Sequence, residues 1–159
     1  MIRRRAARAT ALTLALAAPL AAGACGTADA PPAPGAVEGS AYMPEPVTGK
    51  MAAGYFTLTN DGDEPDTLTA VTSDVSDDVQ FHRTVDNRME RVESFGIPAH
   101  GELALSRGGN HLMFMGLERK PSKGDTVRLE LHFEKSEPLT LEVPVEATNH
   151  QPSAAAGQR

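Results

Sequence analysis

DVQFHRTVDNRMERVESF, residues 78–95, reads as two short β-strands joined by a tight turn. Over 78–84 the side chains alternate. Val79 and Phe81 fall on one side and Gln80, His82 and Thr84 on the other, the period-two pattern of a strand with one buried face. Asp86-Asn87 supplies the residue types that tolerate a tight turn. A second extended run follows over 89–95. No helical spacing competes with this reading.

The same alternation recurs outward in both directions. Runs at 54–60, 68–73, 102–106, 110–117, 126–134 and 139–146 complete about eight expected strands. Asn60-Asp61-Gly62-Asp63, 98–101, Gly108-Gly109 and Lys123-Gly124-Asp125 punctuate them with residues suited to positive or fixed φ. Short strands joined in this way form an all-β sandwich or Greek-key barrel. The folded span is expected at 41–148, roughly one domain in length. Aromatic residues make up 4% of the chain and tryptophan is absent, so Leu, Val, Phe and Met must supply the core.

Outside this span the composition changes. Arg3, Arg4, Arg5 and Arg8 precede an apolar run from Ala11 to Ala22, the order of a secretory signal over 1–24, and too short for a comfortable membrane-spanning helix. Cys25, the only cysteine, follows Ala22-Gly23-Ala24, as the acylated cysteine follows small residues in bacterial lipoproteins. The expectation is a lipid anchor at Cys25 on the outer face of the cell membrane, with a periplasmic or secreted protein as the alternative. Residues 25–40, rich in proline, are expected as a flexible spacer and 149–159 as a disordered tail. Removing 1–24 takes four of fifteen basic residues and none of twenty-one acidic ones, leaving a formal charge of −10. That acidic balance argues against nucleic acid as a partner and against a polybasic grip on a membrane.

Parity also selects candidate ligands. His82 lies on the polar side of its strand. In 110–117, Leu112 and Phe114 share one face, which leaves His111, Met113 and Met115 on the other. Met89 shares its side with Arg91 and Glu93, which burial would penalise. Imidazole nitrogen plus thioether sulfur is a soft donor set that suits copper(I) better than zinc, calcium or magnesium. His111 and Met113 are about 6.6 Å apart along one strand, close enough to converge on one ion. A single His-x-Met is weak by itself, and a methionine-rich patch can instead bind a partner. His132 reads as a solvent-facing histidine, His100 as a turn residue and His150 as part of the tail. Met43 and Met51 read as loop or core residues that could supplement a site, and Met115 as part of its surroundings.

At this point the chain resembles the PCu(A)C-type copper chaperones of bacterial cell envelopes. The resemblance rests on Gly54-Tyr55-Phe56-Thr57-Leu58-Thr59-Asn60, Val79-Gln80-Phe81-His82, Ile97-Pro98-Ala99, the block 108–117 and Gly124-Asp125-Thr126-Val127. It implies a cupredoxin-like Greek-key β-sandwich holding one copper(I) through His82, Met89, His111 and Met113. It also implies a copper acceptor as partner, with the copper centre of cytochrome c oxidase as the destination. Twenty-one residues separate Met89 from His111, as in the family. Only six separate His82 from Met89, where the family usually has about ten, and Arg83 stands beside His82. Arg83 is expected to be mildly unfavourable to a bound cation.

Two other readings are set against this one. A blue-copper electron carrier needs a cysteine thiolate on the metal, and the lone Cys25 lies outside the domain. A metal-free scaffolding or adhesion lipoprotein would need only the fold. No nucleophile elbow, phosphate loop or HExxH motif supports an enzyme.

Overall fold

A computed structural model describes residues 29–152. Among them are twelve strands and no helix: β1 (Pro34–Ala36), β2 (Met43–Pro44), β3 (Met51–Gly54), β4 (Thr57–Asn60), β5 (Asp66–Ser73), β6 (Asp78–Val85), β7 (Arg88–Val92), β8 (Phe95–Ile97), β9 (Gly101–Ala104), β10 (His111–Met115), β11 (Thr126–Phe133) and β12 (Leu139–Glu146). They form three sheets, ordered β1-β4-β9, β3-β10-β6-β7 and β2-β12-β11-β5-β8. Phe81, Leu112 and Phe114 from the second sheet meet Leu129, Leu131 and Val143 from the third in one apolar core. The expected all-β sandwich is the architecture that forms.

Two of the four additional strands arise because the chain changes sheets within a run read as one strand, and the other two, β1 and β2, lie outside the expected runs. Ala52, Gly54, Phe56, Leu58 and Asn60 are buried at every second position, and Tyr55 between them is buried as well. The backbone nevertheless leaves β10 after Gly54 and pairs with β1 and β9 from Thr57 onward. Only Tyr55, buried out of phase at the junction and bridged to Tyr42, marks the exchange of partners. Likewise the expected strand 89–95 divides. Val92 still pairs with Phe81 in β6, whereas Phe95 pairs with Leu68 in β5.

β1 lies inside the segment expected as a spacer. Pro34 has no N–H to offer, and β1 occupies the edge of its sheet, where that loss is tolerated. The adjoining chain is tied down by Asn60, whose Oδ1 accepts from the N–H groups of Ala33 and Gly62 while its amide donates to the Glu64 carbonyl. The expected signal segment and Cys25 lie outside the described residues, as does the tail beyond residue 152.

Gly54 sets the fit between β3 and β10. A β-carbon there would stand 2.7 Å from Cε2 of Phe114, a ring with no exposed surface. Gly54→Ala is expected to destabilise the fold by about 1–3 kcal/mol through overpacking. Gly96→Ala, where nothing lies within 4 Å of the added carbon, should be close to neutral. Urea unfolding of the two variants checks the contrast.

Candidate metal centre

The site is built on the outer face of the four-stranded sheet. Antiparallel pairing sets His111 directly opposite His82, with Leu112–Phe81 and Met113–Gln80 as the next pairs. Side chains opposite each other share a face. The apolar pair turns into the core, so the two imidazoles and Met113 emerge together on the other side. The ring centroids of His82 and His111 are 5.7 Å apart.

Each imidazole has one nitrogen committed and one left over. His111 Nδ1 lies 3.0 Å from the carbonyl of Gly109, which can only accept, so Nδ1 carries the hydrogen. The Gly108-Gly109 turn, with Gly108 at φ 77°, presents that carbonyl. His82 Nε2 lies 3.1 Å from Gln80 Oε1. Gln80 is oriented in turn, because its amide nitrogen donates to both carboxylate oxygens of Asp78 at 3.0 and 2.9 Å. His82 therefore carries its hydrogen on Nε2. The remaining atoms, His82 Nδ1 and His111 Nε2, are buried lone pairs with no hydrogen-bond partner. Two neutral imidazoles, each oriented through its other nitrogen, form the arrangement in which histidine binds metals.

His111 is only 4% exposed, although it lies on the strand face opposite Leu112 and Phe114. Its position on the outer face is as parity required, but Tyr55 covers it, the rings 6.5 Å apart. Tyr55 in turn stacks at 5.0 Å on Tyr42 and lies under the Arg107 guanidinium at 5.8 Å. Burial pushes the Tyr55 hydroxyl above its ordinary range, against the pull of Arg107. His150, expected in a disordered tail, has its ring 5.1 Å from that of Tyr42. Arg107 also donates to the Thr148 carbonyl, so the chain after β12 closes this aromatic wall.

Met89 is placed differently. Asp86 and Asn87 both adopt positive φ, 49° and 59°, and Val85 pairs with Arg88, so β6 and β7 are joined by a two-residue turn of type I′. That turn sets Thr84 opposite Met89 and Arg91 opposite His82. Met89 shares the outer face but sits diagonally from His82, a separation of about 7–8 Å that a long side chain spans. It is 69% exposed. Arg83, expected to crowd the site, points to the opposite face and pairs with Glu90 at 3.3 Å. The cation beside His82 is Arg91.

Of the remaining candidates, Met43 is fully buried and separate from the site. His132 is paired with Glu130 and His100 with Asp63. Among the described residues no three His, Cys, Asp or Glu side chains gather at one point. The donors available at this face are thus two imidazoles and thioethers. Gln80 and Gly109, which orient the rings, were not singled out from the sequence, although Gln80 shares the parity of His82.

The family model described as "Putative lipoprotein LpqE-like" matches residues 36–145. A "Putative lipoprotein" of Leifsonia xyli subsp. xyli (strain CTCB07) is 30% identical over 100 residues, which cover 60% of this chain and 60% of that relative's length. Among solved structures, the apo PCuAC domain of PmoF2 is similar at a TM-score of 0.63 and 25% identity, covering 72% of this chain and 91% of that one. The copper-bound PCuAC domain from PmoF2 gives 0.61 and 27%, covering 68% and 89%. The copper(I) form of DR1885 from Deinococcus radiodurans gives 0.59 and 30%, covering 69% and 77%.

Burial, then the proximity of His111, then Arg91 lower the pKa of His82 below its ordinary value. The unfolded chain therefore takes up this proton first, and the stability tied to neutral His82 is complete at neutral pH and declines as pH falls through the unfolded value. Nitrogen-detected NMR of the histidine rings should find His82 as the Nε2–H tautomer, titrating below 6.5. Arg91→Met should move that midpoint upward. A His82 that titrates at or above its ordinary value would contradict the arrangement.

Proposed function

The chain belongs to the LpqE-like lipoprotein family and has the fold of PCuAC domains, and from that premise we propose that it is a copper(I) carrier of the cell envelope. It holds one ion through His82, His111, Met113 and Met89 and passes it to an acceptor by ligand exchange, without catalysing a reaction. The observation that carries this reading is the pair of buried, unpartnered ring nitrogens, His82 Nδ1 and His111 Nε2, on facing strands. The fold alone has no use for two such lone pairs, and each costs about 1–3 kcal/mol if left unmade. A soft cation satisfies both at once.

The donor set supports copper(I) in particular. Neutral imidazole and thioether bind it without losing protons, and thioethers discriminate against hard divalent ions. His82 and His111 hold one side of the ion, with Met113 beside them on β10. Met89 approaches from the β6–β7 hairpin and is the ligand most open to solvent. An acceptor's ligand can replace Met89 before the histidines release the ion. Acid weakens binding once the imidazoles protonate, and the depressed His82 pKa delays that loss. We assign the acceptor to copper-requiring envelope proteins, the copper centre of cytochrome c oxidase first among them. Residues 1–24 serve as the export signal and Cys25 as the lipid attachment point.

Copper(I) titration against a competing chelator should give one tight equivalent in the wild-type protein. The His111→Ala/Met113→Ala double variant should lose it, and Met89→Ala should weaken it less. Gln80→Ala leaves every donor in place but frees the His82 ring, and should weaken binding about 10–100-fold. Equal competition by wild type and double variant would overturn the reading.

Attachment at Cys25 is checked separately by metabolic labelling with a radioactive fatty acid. Label should be incorporated by the wild type and absent from Cys25→Ser.

A further inference from the structure

Every methionine among the described residues except Met43 lies on one surface, the outer face of the β3-β10-β6-β7 sheet. Met115 stands directly opposite Met51 across the β10–β3 pair, and Met113 is two residues along β10 on the same face. Met51 is 45% exposed. None of the positions that share this face on the four strands carries Leu, Ile, Val or Phe. Strands ordinarily favour β-branched and aromatic residues, and a surface that docks a protein through apolar contact sets aromatic side chains among its methionines. Here the large apolar side chains are methionine alone, which points to the sulfur and not to hydrophobicity.

Geometry brings three of these sulfurs within reach of one ion. Directly opposed residues have Cα atoms about 4.5–5.5 Å apart, and positions two apart on a strand about 6.6 Å. Three unbranched side chains with free torsions can converge over such distances. Charge favours a cation at this end of the sheet. Asp78 is the partner of Met115 on its other side, and a cleft of about 230 Å³ beside Met115 is also lined by Asp77 and Glu118. The histidine end, by contrast, carries Arg91.

We propose that Met51, Met115 and Met113 form a second, all-thioether site for copper(I), a staging position from which the ion moves along β10 to the histidine pair through the shared ligand Met113. The inference rests on the copper(I) reading above and extends it to entry. Copper stays in the +1 state throughout. Each step breaks one copper–sulfur bond and forms one copper–nitrogen bond, so no oxidant, reductant or proton is required. The acidic, more exposed thioether end captures the ion, and the buried imidazoles retain it.

Silver(I), soft, monovalent and inert to redox change, is a suitable probe. The full chain, labelled at the methionine methyl groups, is titrated while methyl and histidine-ring resonances are followed together. In the wild type the Met51 and Met115 methyls should shift by the second equivalent, and in His82→Ala they should shift at the first. The volume-conserving Met51→Leu/Met115→Leu variant should lose the second event and keep the ring response to the first. If the Met51 and Met115 methyls stay fixed through two equivalents while Met113 and the rings respond, the staging site is wrong and the carrier reading stands. If rings and methyls are all silent, both fall.

Discussion

The register between β6 and β10 is the constraint on which the site depends. Phe81 pairs with Leu112 and Val79 with Phe114, and three of these side chains are buried in the core with Val79 packed against it. Because side chains alternate, a slip of one residue would turn that set to solvent and carry His82 and His111 inward. Exposing each large apolar side chain costs about 1.5–3 kcal/mol, against a total stability of about 5–15 for a domain. The imidazoles are therefore aligned by side chains on the opposite face of the same strands. Gly54 belongs to the same constraint, since it lets β3 lie close over Phe114 and so holds β10 from its other side.

Within that frame, hydrogen bonds decide which atoms of the rings are free. Gly109 and Gln80 each consume one ring N–H, and Asp78 fixes Gln80 in the orientation that presents its oxygen. The outcome is two buried acceptors, on rings 5.7 Å apart, with no donor bound to either. Such a pair is unfavourable for the fold alone, and Arg91 raises the penalty for filling it with protons on His82. An arrangement that disfavours protonation while leaving the lone pairs unmet is selective for a cation with stronger affinity for nitrogen than its charge repulsion from Arg91.

Much of this was legible because one period-two pattern encodes both the core and the site. Leu112 and Phe114 identify the inner face, so His111 and Met113 must share the other, and the same holds for Phe81 and His82. What parity does not contain is partner identity. In 54–60 the exchange from β10 to β9 leaves only the consecutive burial of Tyr55 and Phe56, which does not name the new partner. Nor does parity report depth. His111 is on the outer face as expected, yet Tyr55, from the link between β3 and β4, lies against it, and Arg107, from the loop before β10, lies over Tyr55. Arg83 illustrates the converse: adjacency in sequence suggested interference, while adjacency on a strand means opposite faces.

The two-residue turn at Asp86-Asn87 has a final consequence for how the proposed carrier releases its ion. A type I′ turn permits no slack, so Met89 cannot stand directly across from His82, a place the register assigns to Arg91. Met89 is left diagonal, on the outermost strand of the sheet and largely in solvent. The other donors sit on β6 and β10, strands paired on both sides and anchored to the core. The proposed ligand set is therefore mechanically unequal, with three residues held by the sheet interior and one carried on the edge strand. Edge hairpins open at lower free energy than central strands. In the proposed carrier, exchange would accordingly begin at Met89, and the short turn, not the metal, would set the direction from which an acceptor approaches.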